Sequence, residues 1–215
     1  HILKLPLGII GRGQIDLSTS VENEWLCSKI LAAYGVRCAE TEIAQFEDEK
    51  ALIVERFDRR LSSDKTWWLR LPQEDMCQAA GVSPDMKYES EGGPGILPVM
   101  KLLLGSRNAL YDRIEFFKTQ VLFWLLAAVD GHAKNFSIFI EPEGRFVLTP
   151  VYDVLSAYPV MGHSSSLLAP EKVRMAMAAH GKNRHYRWKN IRARHWLRTA
   201  ELAGLNEKTA REVMN

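Results

Sequence analysis

Asp130, His132, Lys134 and Asn135 crowd into the stretch DGHAKNFSIFI, between an apolar run and a strand-like one. Polar groups at such a junction cost stability unless they lie at a surface turn or do chemistry. Asp130 and Asn135 are separated by four residues, and Asp153 follows after two short apolar segments. Phosphoryl transfer from ATP needs a carboxylate that orients or deprotonates the attacking hydroxyl. It also needs oxygen ligands for Mg²⁺, a task for an Asn and a second Asp. The spacing D-x-x-x-x-N with a later Asp suits that division of labour. The same residues would also arise in a helix-to-strand loop capped by Asp and Asn. Asp130, His132 and Asp153 further read as ligands of a metal-dependent hydrolase. Against that, the remaining histidines show no H-x-H or H-E-x-x-H spacing.

Several elements must bring these groups together. Ile114, Phe117, Val121, Trp124, Leu125 and Ala128 recur at helical spacing. They predict a helix over roughly 112–129 that ends at Asp130. FSIFI and RFVLTP, joined by EPEG, predict a hairpin that leads into VYD and so delivers Asp153. Upstream, HILKLP reads as a strand over 1–7, interrupted by Lys4. A lysine there either pairs with ATP phosphates or points to water from an edge strand. A Gly-containing loop follows through Gly13, and Thr19 and Glu22 then have capping-box spacing. They predict a helix from Val21 to Tyr34, stopped by Gly35, with Glu22 and Glu24 as candidate partners of Lys4. TEIAQF and KALIVERF alternate like two strands around an EDE turn. The second strand runs into Glu55, Arg56 and Phe57, either a hinge whose backbone meets adenine or simply a strand reaching the surface.

From Pro72 the pattern turns helical: PQEDMCQAA up to Gly81, LPVMKLLL after a Gly/Pro-rich loop at 92–95, then the long helix. After VYD the remainder reads as helices separated by a Ser-rich loop at 162–166 and a basic stretch at 180–198. The fold class is therefore α+β, with a small β-rich part over 1–57 and a mostly helical part over 58–215.

At 215 residues with 47% hydrophobic residues, the chain is long enough to bury one or two cores. A net charge of only +2 argues against a nucleic-acid binder built on charge alone. The basic excess is local: Lys182, Arg184, Arg187, Lys189, Arg192, Arg194 and Arg198, with Trp188 and Trp196 interleaved. Such a stretch either contacts DNA phosphates or is a solvated helix face. Cys27, Cys38 and Cys77 have no C-x-x-C or metal-site spacing, which suits reduced thiols in a cytosol. The longest apolar run, Val121 to Val129, is nine residues, well short of the ~20 a membrane span needs.

HILKLP, VERFDRR, LRLPQEDMCQ, KYESEGGPGI, DGHAKNFSIFI and LTPVYDVLSAYP resemble segments of the HipA-type bacterial serine/threonine kinases. These are the toxins of HipBA toxin–antitoxin modules. The His inside D-x-H-x-x-N is also similar to aminoglycoside and lipid kinases, which leaves a small-molecule kinase as an alternative. The resemblance implies a protein-kinase-like fold: the remnant of a small β-rich N-lobe followed by a larger, mostly α-helical C-lobe. It implies that Asp130 is catalytic and that Asn135 and Asp153 bind Mg²⁺. It further implies ATP contacts from Lys4, Glu55, Arg56, Phe57, His132, Ala133, Lys134, Asn135, Tyr152 and Asp153. A protein substrate such as an aminoacyl-tRNA synthetase is implied, its phosphorylation causing growth arrest and persistence. So are a HipB-type DNA-binding antitoxin, operator DNA reached through that complex, and a place in the bacterial cytoplasm. Members of the family are much longer, with an N-terminal subdomain and a Gly-rich phosphate loop, bearing an autophosphorylated serine, ahead of the lysine strand. GRG at 11–13 and GGPG at 92–95 both follow that strand and are no substitute. Phosphoryl transfer by these residues alone is therefore expected to be weak.

Overall fold

The computed structural model describes residues 1–11 and 15–215; of the GRG segment, only Gly11 lies within the described residues. Along the chain, β1 (Ile2–Lys4) is followed by the hairpin strands β2 (Gly8–Ile10) and β3 (Ile15–Leu17), then α1 (Ser20–Ala33). Strands β4 (Thr41–Phe46) and β5 (Glu49–Val54) complete a three-stranded antiparallel sheet of order β1-β5-β4. β5 takes the centre because Ala51, Leu52 and Val54 bury together. Leu52 and Val54 form a small cluster with Val21 of α1 and Ala39, flanked by Trp25, Phe57 and Tyr152. Lys4 sits opposite Leu52 in this sheet.

Two expectations fail locally here. The first strand stops at Lys4 instead of running to residue 7. Pro6 has no N–H to donate, and the Leu7 N–H turns to Ser20 Oγ at 2.9 Å. The predicted capping box does not form either: Thr19 occupies the N-cap without a side-chain bond, and Glu22 pairs with Lys50 of β5. Gly35 does end the helix, at φ +74°, a conformation glycine adopts without a Cβ clash.

The larger part begins with a hairpin of β6 (Arg59–Leu61) and β7 (Trp68–Arg70), then β8 (Gln73–Asp75), α2 (Met76–Ala79), α3 (Ile96–Leu102) and α4 (Ala109–Leu125). β9 (Ser137–Ile140) and β10 (Phe146–Leu148) form the predicted hairpin, and β8 joins it to give the order β10-β9-β8. β11 (Arg174–His180), β12 (Arg184–Arg187), α5 (Ala193–Leu202) and α6 (Glu207–Met214) follow. Phe116, Phe117 and Phe123 of α4 pack with Phe136 and Trp196 at the centre of the main core. Each such side chain contributes roughly 1.5–3 kcal/mol by leaving water. α4 also carries two buried carboxylates that tie it to its surroundings. Asp112 accepts from Ser106 Oγ, the Leu148 N–H and Arg37, while Glu115 holds Arg37 through two guanidinium nitrogens.

The segment PQED is strand rather than helix. Asp75 ends β8 and caps α2, its carboxylate accepting the Gln78 N–H while the Gln78 side chain accepts the Asp75 N–H, both at 2.9 Å. The segment RMAMAAH is also a strand, contrary to the helical reading of the C-terminal region. Met175 to Ala179 are all buried, so burial between neighbouring elements overrides the helical preference of Ala and Met. Consequently the basic stretch begins in a hairpin, and Trp196 is a core residue, 1% exposed, not a surface aromatic. Among the described residues no helix is long and apolar enough to cross a membrane.

Candidate active site

α4 stops at Leu125, four residues before the predicted end, and the reason lies in its last turn. Ala127 adopts φ +48°, the Ala128 N–H reaches back to the Phe123 carbonyl at 2.8 Å, and the Ala127 N–H to Trp124 at 3.1 Å. This paired closure ends a helix and turns the chain outward. Val129 is then held from β11 by the Ala176 N–H at 3.0 Å. Gly131 follows Asp130 where a Cβ would lie 2.3 Å from the Phe123 ring, so only glycine fits between the core and the loop. A single 3-10 turn, Ala133–Asn135, leads into β9. The loop thus leaves the Asp130 carboxylate 65% exposed while burying His132 and Asn135.

Asp130 Oδ1 accepts the Tyr88 hydroxyl at 2.5 Å, and Oδ2 lies 4.0 Å from His132 Nε2. Burial pushes His132 below its ordinary pKa, against the opposing pull of Asp130 and, more weakly, of Asp153. His132 Nδ1 is buried without a hydrogen-bond partner among the described residues.

Asp153 reaches the same region by a different route. The Val151 N–H donates to the Arg37 carbonyl at 2.7 Å and the Ala39 N–H to the Val151 carbonyl at 2.8 Å, which fastens this strand-like segment beside the end of α1. Tyr152 is locked next: its hydroxyl contacts Ser137 Oγ at 2.6 Å and donates to the Lys134 carbonyl at 2.9 Å. Burial pushes the Tyr152 phenol up to about 12. Asp153 then turns with φ +61°, a left-handed conformation that few side chains tolerate and that Asp adopts more readily than most. Its two oxygens are shared: Oδ1 accepts Lys4 Nζ at 2.7 Å and Oδ2 accepts Asn135 Nδ2 at 3.0 Å. Lys4 Nζ also donates to Glu24 Oε1 at 2.6 Å. Burial works against the charge on Lys4, but the hydrogen bonds to Asp153 and Glu24 outweigh it and raise its pKa. Burial raises Glu24 in turn, and Lys4 offsets this only in part. Lys4, Val21, Glu24, Leu52 and Asp153 border a cleft of about 340 Å³.

Lys4, Glu24, Asn135 and Asp153 are therefore joined by direct bonds, and Asp130 stands on the same loop as Asn135, five residues before it. Of the two glutamates anticipated on α1, Glu24 is the partner of Lys4. Phe57 packs its ring against Tyr152 and Phe139 at centroid distances of 5.6 and 5.7 Å, so the 55–57 segment abuts the residue before Asp153. The Arg56 guanidinium is spent on Asp58, and Glu55 is exposed with its N–H on the Glu40 carbonyl. Ala133 is buried, and the Lys134 ammonium faces Asp75 at 3.6 Å. Tyr88 is the neighbour of Asp130 that sequence reasoning left unassigned, although it lies in the stretch KYESEGGPGI; an aromatic beside acidic residues in a Gly-rich turn was the available signal.

The model of the HipA-like C-terminal domain matches residues 1–215. The chain belongs to the HipA-like C-terminal domain family. A HipA serine/threonine-protein kinase toxin from Shewanella oneidensis is 32% identical over 147 residues, covering 63% of this chain and 34% of that protein. Y4mE of Sinorhizobium fredii, named as a kinase, is 33% identical over 180 residues, covering 82% of this chain and 40% of that protein. This HipA-like chain thus spans less than half the length of the curated relatives it matches. The structure of Shewanella oneidensis HipA, with HipB and operator DNA, superposes with a TM-score of 0.77 at 26% identity, over 90% of this chain and 45% of that one. The Helicobacter pylori proinflammatory kinase CtkA shares the fold, with a TM-score of 0.57 at 10% identity over 99% of this chain and 77% of that one. The HipA-like fold is α+β and protein-kinase-like.

Proposed function

We propose that this chain carries the phosphotransfer site of a HipA-type serine/threonine kinase that acts as the toxin of a toxin–antitoxin module. One observation supports the reading above the others: a single ammonium, Lys4, answers both the helix glutamate Glu24 and Asp153, whose other oxygen is held by Asn135. A kinase uses such a Lys–Glu pair, beside an Asn and a second Asp, to hold nucleotide phosphates and their metal ions. Residues 1–57 would serve as the N-lobe portion and 58–215 as the C-lobe. Glu55 to Phe57 would meet adenine, and His132, Ala133, Lys134 and Tyr152 would shape the ATP site.

The residues fit Mg²⁺ by donor type. Asn135 Oδ1 is buried without a hydrogen-bond donor among the described residues, Asp153 adds a carboxylate, and Mg²⁺ prefers such hard oxygens, with phosphate oxygens completing its shell. Asn135 and Asp153 would hold the ion, which when bound neutralises charge on the transferring phosphates. Lys4 is then free to exchange Asp153 for a phosphate while Glu24 keeps its position. Asp130 takes the proton of the attacking hydroxyl as that oxygen bonds to the γ-phosphorus and the bond to ADP breaks. The test is labelling from γ-labelled ATP by the natural full-length chain, with Mg²⁺ and then with a chelator. Labelling abolished by chelation is expected; labelling unchanged by it would overturn the assignment.

The HipA structure that this chain resembles was solved with HipB and operator DNA. By that likeness, the proposed partners here are a HipB-type antitoxin and operator DNA; the proposed substrate, a translation component such as an aminoacyl-tRNA synthetase, rests on the sequence resemblance alone. Lys182, Arg184 and Arg187 are exposed on the β11–β12 hairpin, and Arg192 and Arg194 lie exposed just beyond it. Replacing Lys182, Arg184 and Arg187 with Ala should weaken operator binding by the toxin–antitoxin complex and flatten its salt dependence. Each lost phosphate contact removes about 0.9 from the slope of log K against log salt. An unchanged slope would leave these residues as a solvated face.

A further inference from the structure

A second segment, residues 87–95, braces the loop that carries Asp130. The Lys87 carbonyl accepts the Ala133 N–H at 3.2 Å, and the buried Glu89 carboxylate accepts the Ala178 N–H of β11 at 2.6 Å. The brace is tight: a Cβ at Gly95 would lie 2.2 Å from the Glu89 carboxylate carbon. Between these anchors Tyr88 is fixed from several sides. Its carbonyl accepts the N–H groups of Glu91 and Gly93 at 3.0 and 2.9 Å, and its ring meets His132 edge-on at 5.2 Å. Its hydroxyl donates to Asp130 Oδ1 at 2.5 Å. Burial and the adjoining Asp130 carboxylate raise the Tyr88 phenol, so it remains a donor across the neutral range. Asp130 is the most exposed member of the site, and a short carboxylate facing water samples several rotamers unless something holds it.

We propose that Tyr88 is a positioning residue for phosphoryl transfer: by occupying Oδ1 it fixes the Asp130 carboxylate and leaves Oδ2 to face the substrate hydroxyl. This rests on the kinase reading of Asp130, so the experiment separates the two. In the natural full-length chain, Tyr88→Phe removes one oxygen and keeps the ring on His132. It should lower the transfer rate about 10- to 100-fold, the scale of a hydrogen bond to a charged group. Affinity for Mg-ATP and the melting temperature should stay near the wild-type values. In an Asp130→Asn background, adding Tyr88→Phe should change the residual rate by less than about twofold, because its effect runs through Asp130. A general packing role would instead carry its full loss into that background. Full additivity, or a Tyr88→Phe rate within twofold of wild type while Asp130→Asn shows its expected loss of about 10²–10⁴-fold, overturns the proposal alone. Transfer by Asp130→Asn within twofold of wild type overturns the kinase reading of Asp130 and this inference together.

Discussion

Asp130→Asn should reduce phosphoryl transfer by about 10²–10⁴-fold, the usual consequence of losing a group that accepts or orients a proton in the transition state. The change keeps the size of the side chain and an oxygen able to accept from Tyr88, so the loop has no reason to move. None of the bonds that join Lys4, Glu24, Asn135 and Asp153 involves Asp130. Binding of Mg-ATP should therefore be nearly unchanged, and the loss should fall on the chemical step. Single-turnover labelling gives the rate and calorimetry the affinity. A variant as fast as wild type would refute the role, and a variant that lost affinity in proportion to rate would move Asp130 from the chemistry to nucleotide binding.

Asp153→Ala should behave differently, because it removes an acceptor that two other groups share. Lys4 keeps only Glu24, and Asn135 loses the partner of its amide nitrogen. The carboxylate proposed as a ligand for the metal is also lost. The transfer rate should fall by roughly 10²–10³-fold, the scale for one preorganised electrostatic contact. The sharper sign is in binding. Wild type should hold ATP more tightly with Mg²⁺ than with a chelator, and in the variant the two affinities should converge. Alanine must also adopt φ +61° at this position, at a cost of about 1–2 kcal/mol, so a lower melting temperature accompanies the change. A variant that retains a full Mg²⁺ effect on ATP affinity would show that the ion is held elsewhere.

The parts of this protein that sequence reading located are those whose chemistry is local. Asp130 and Asn135 share one loop, the hairpin bringing Asp153 follows at once, and Glu24 lies 20 residues from Lys4, on the first helix after its strand. Most of the features it missed depend on partners far away in sequence. PQED became a strand because β9 offers it a ladder, with Asp75 opposite Ser137. RMAMAAH contains no β-branched residue and no Phe, Tyr or Trp, and burial together with pairing to β12 makes it a strand. The early end of α4 rests on Ala127 in a left-handed conformation, which alanine composition does not announce. Tyr88 lies 42 residues before Asp130, and nothing in its own segment says which group its hydroxyl meets. Trp196 looked like a surface aromatic because it stands among arginines, yet α5 turns it inward against Phe117 and Trp124 while the arginines face water.

A crystal structure of the natural full-length chain with Mg²⁺ and a non-hydrolysable ATP analogue tests the central claim most directly. The account predicts oxygens of Asn135 and Asp153 at about 2.0–2.1 Å from the metal, Lys4 Nζ turned from Asp153 to a phosphate oxygen, and Asp130 facing the γ-phosphate. A metal bound without both Asn135 and Asp153, or a nucleotide seated away from Lys4, would contradict it.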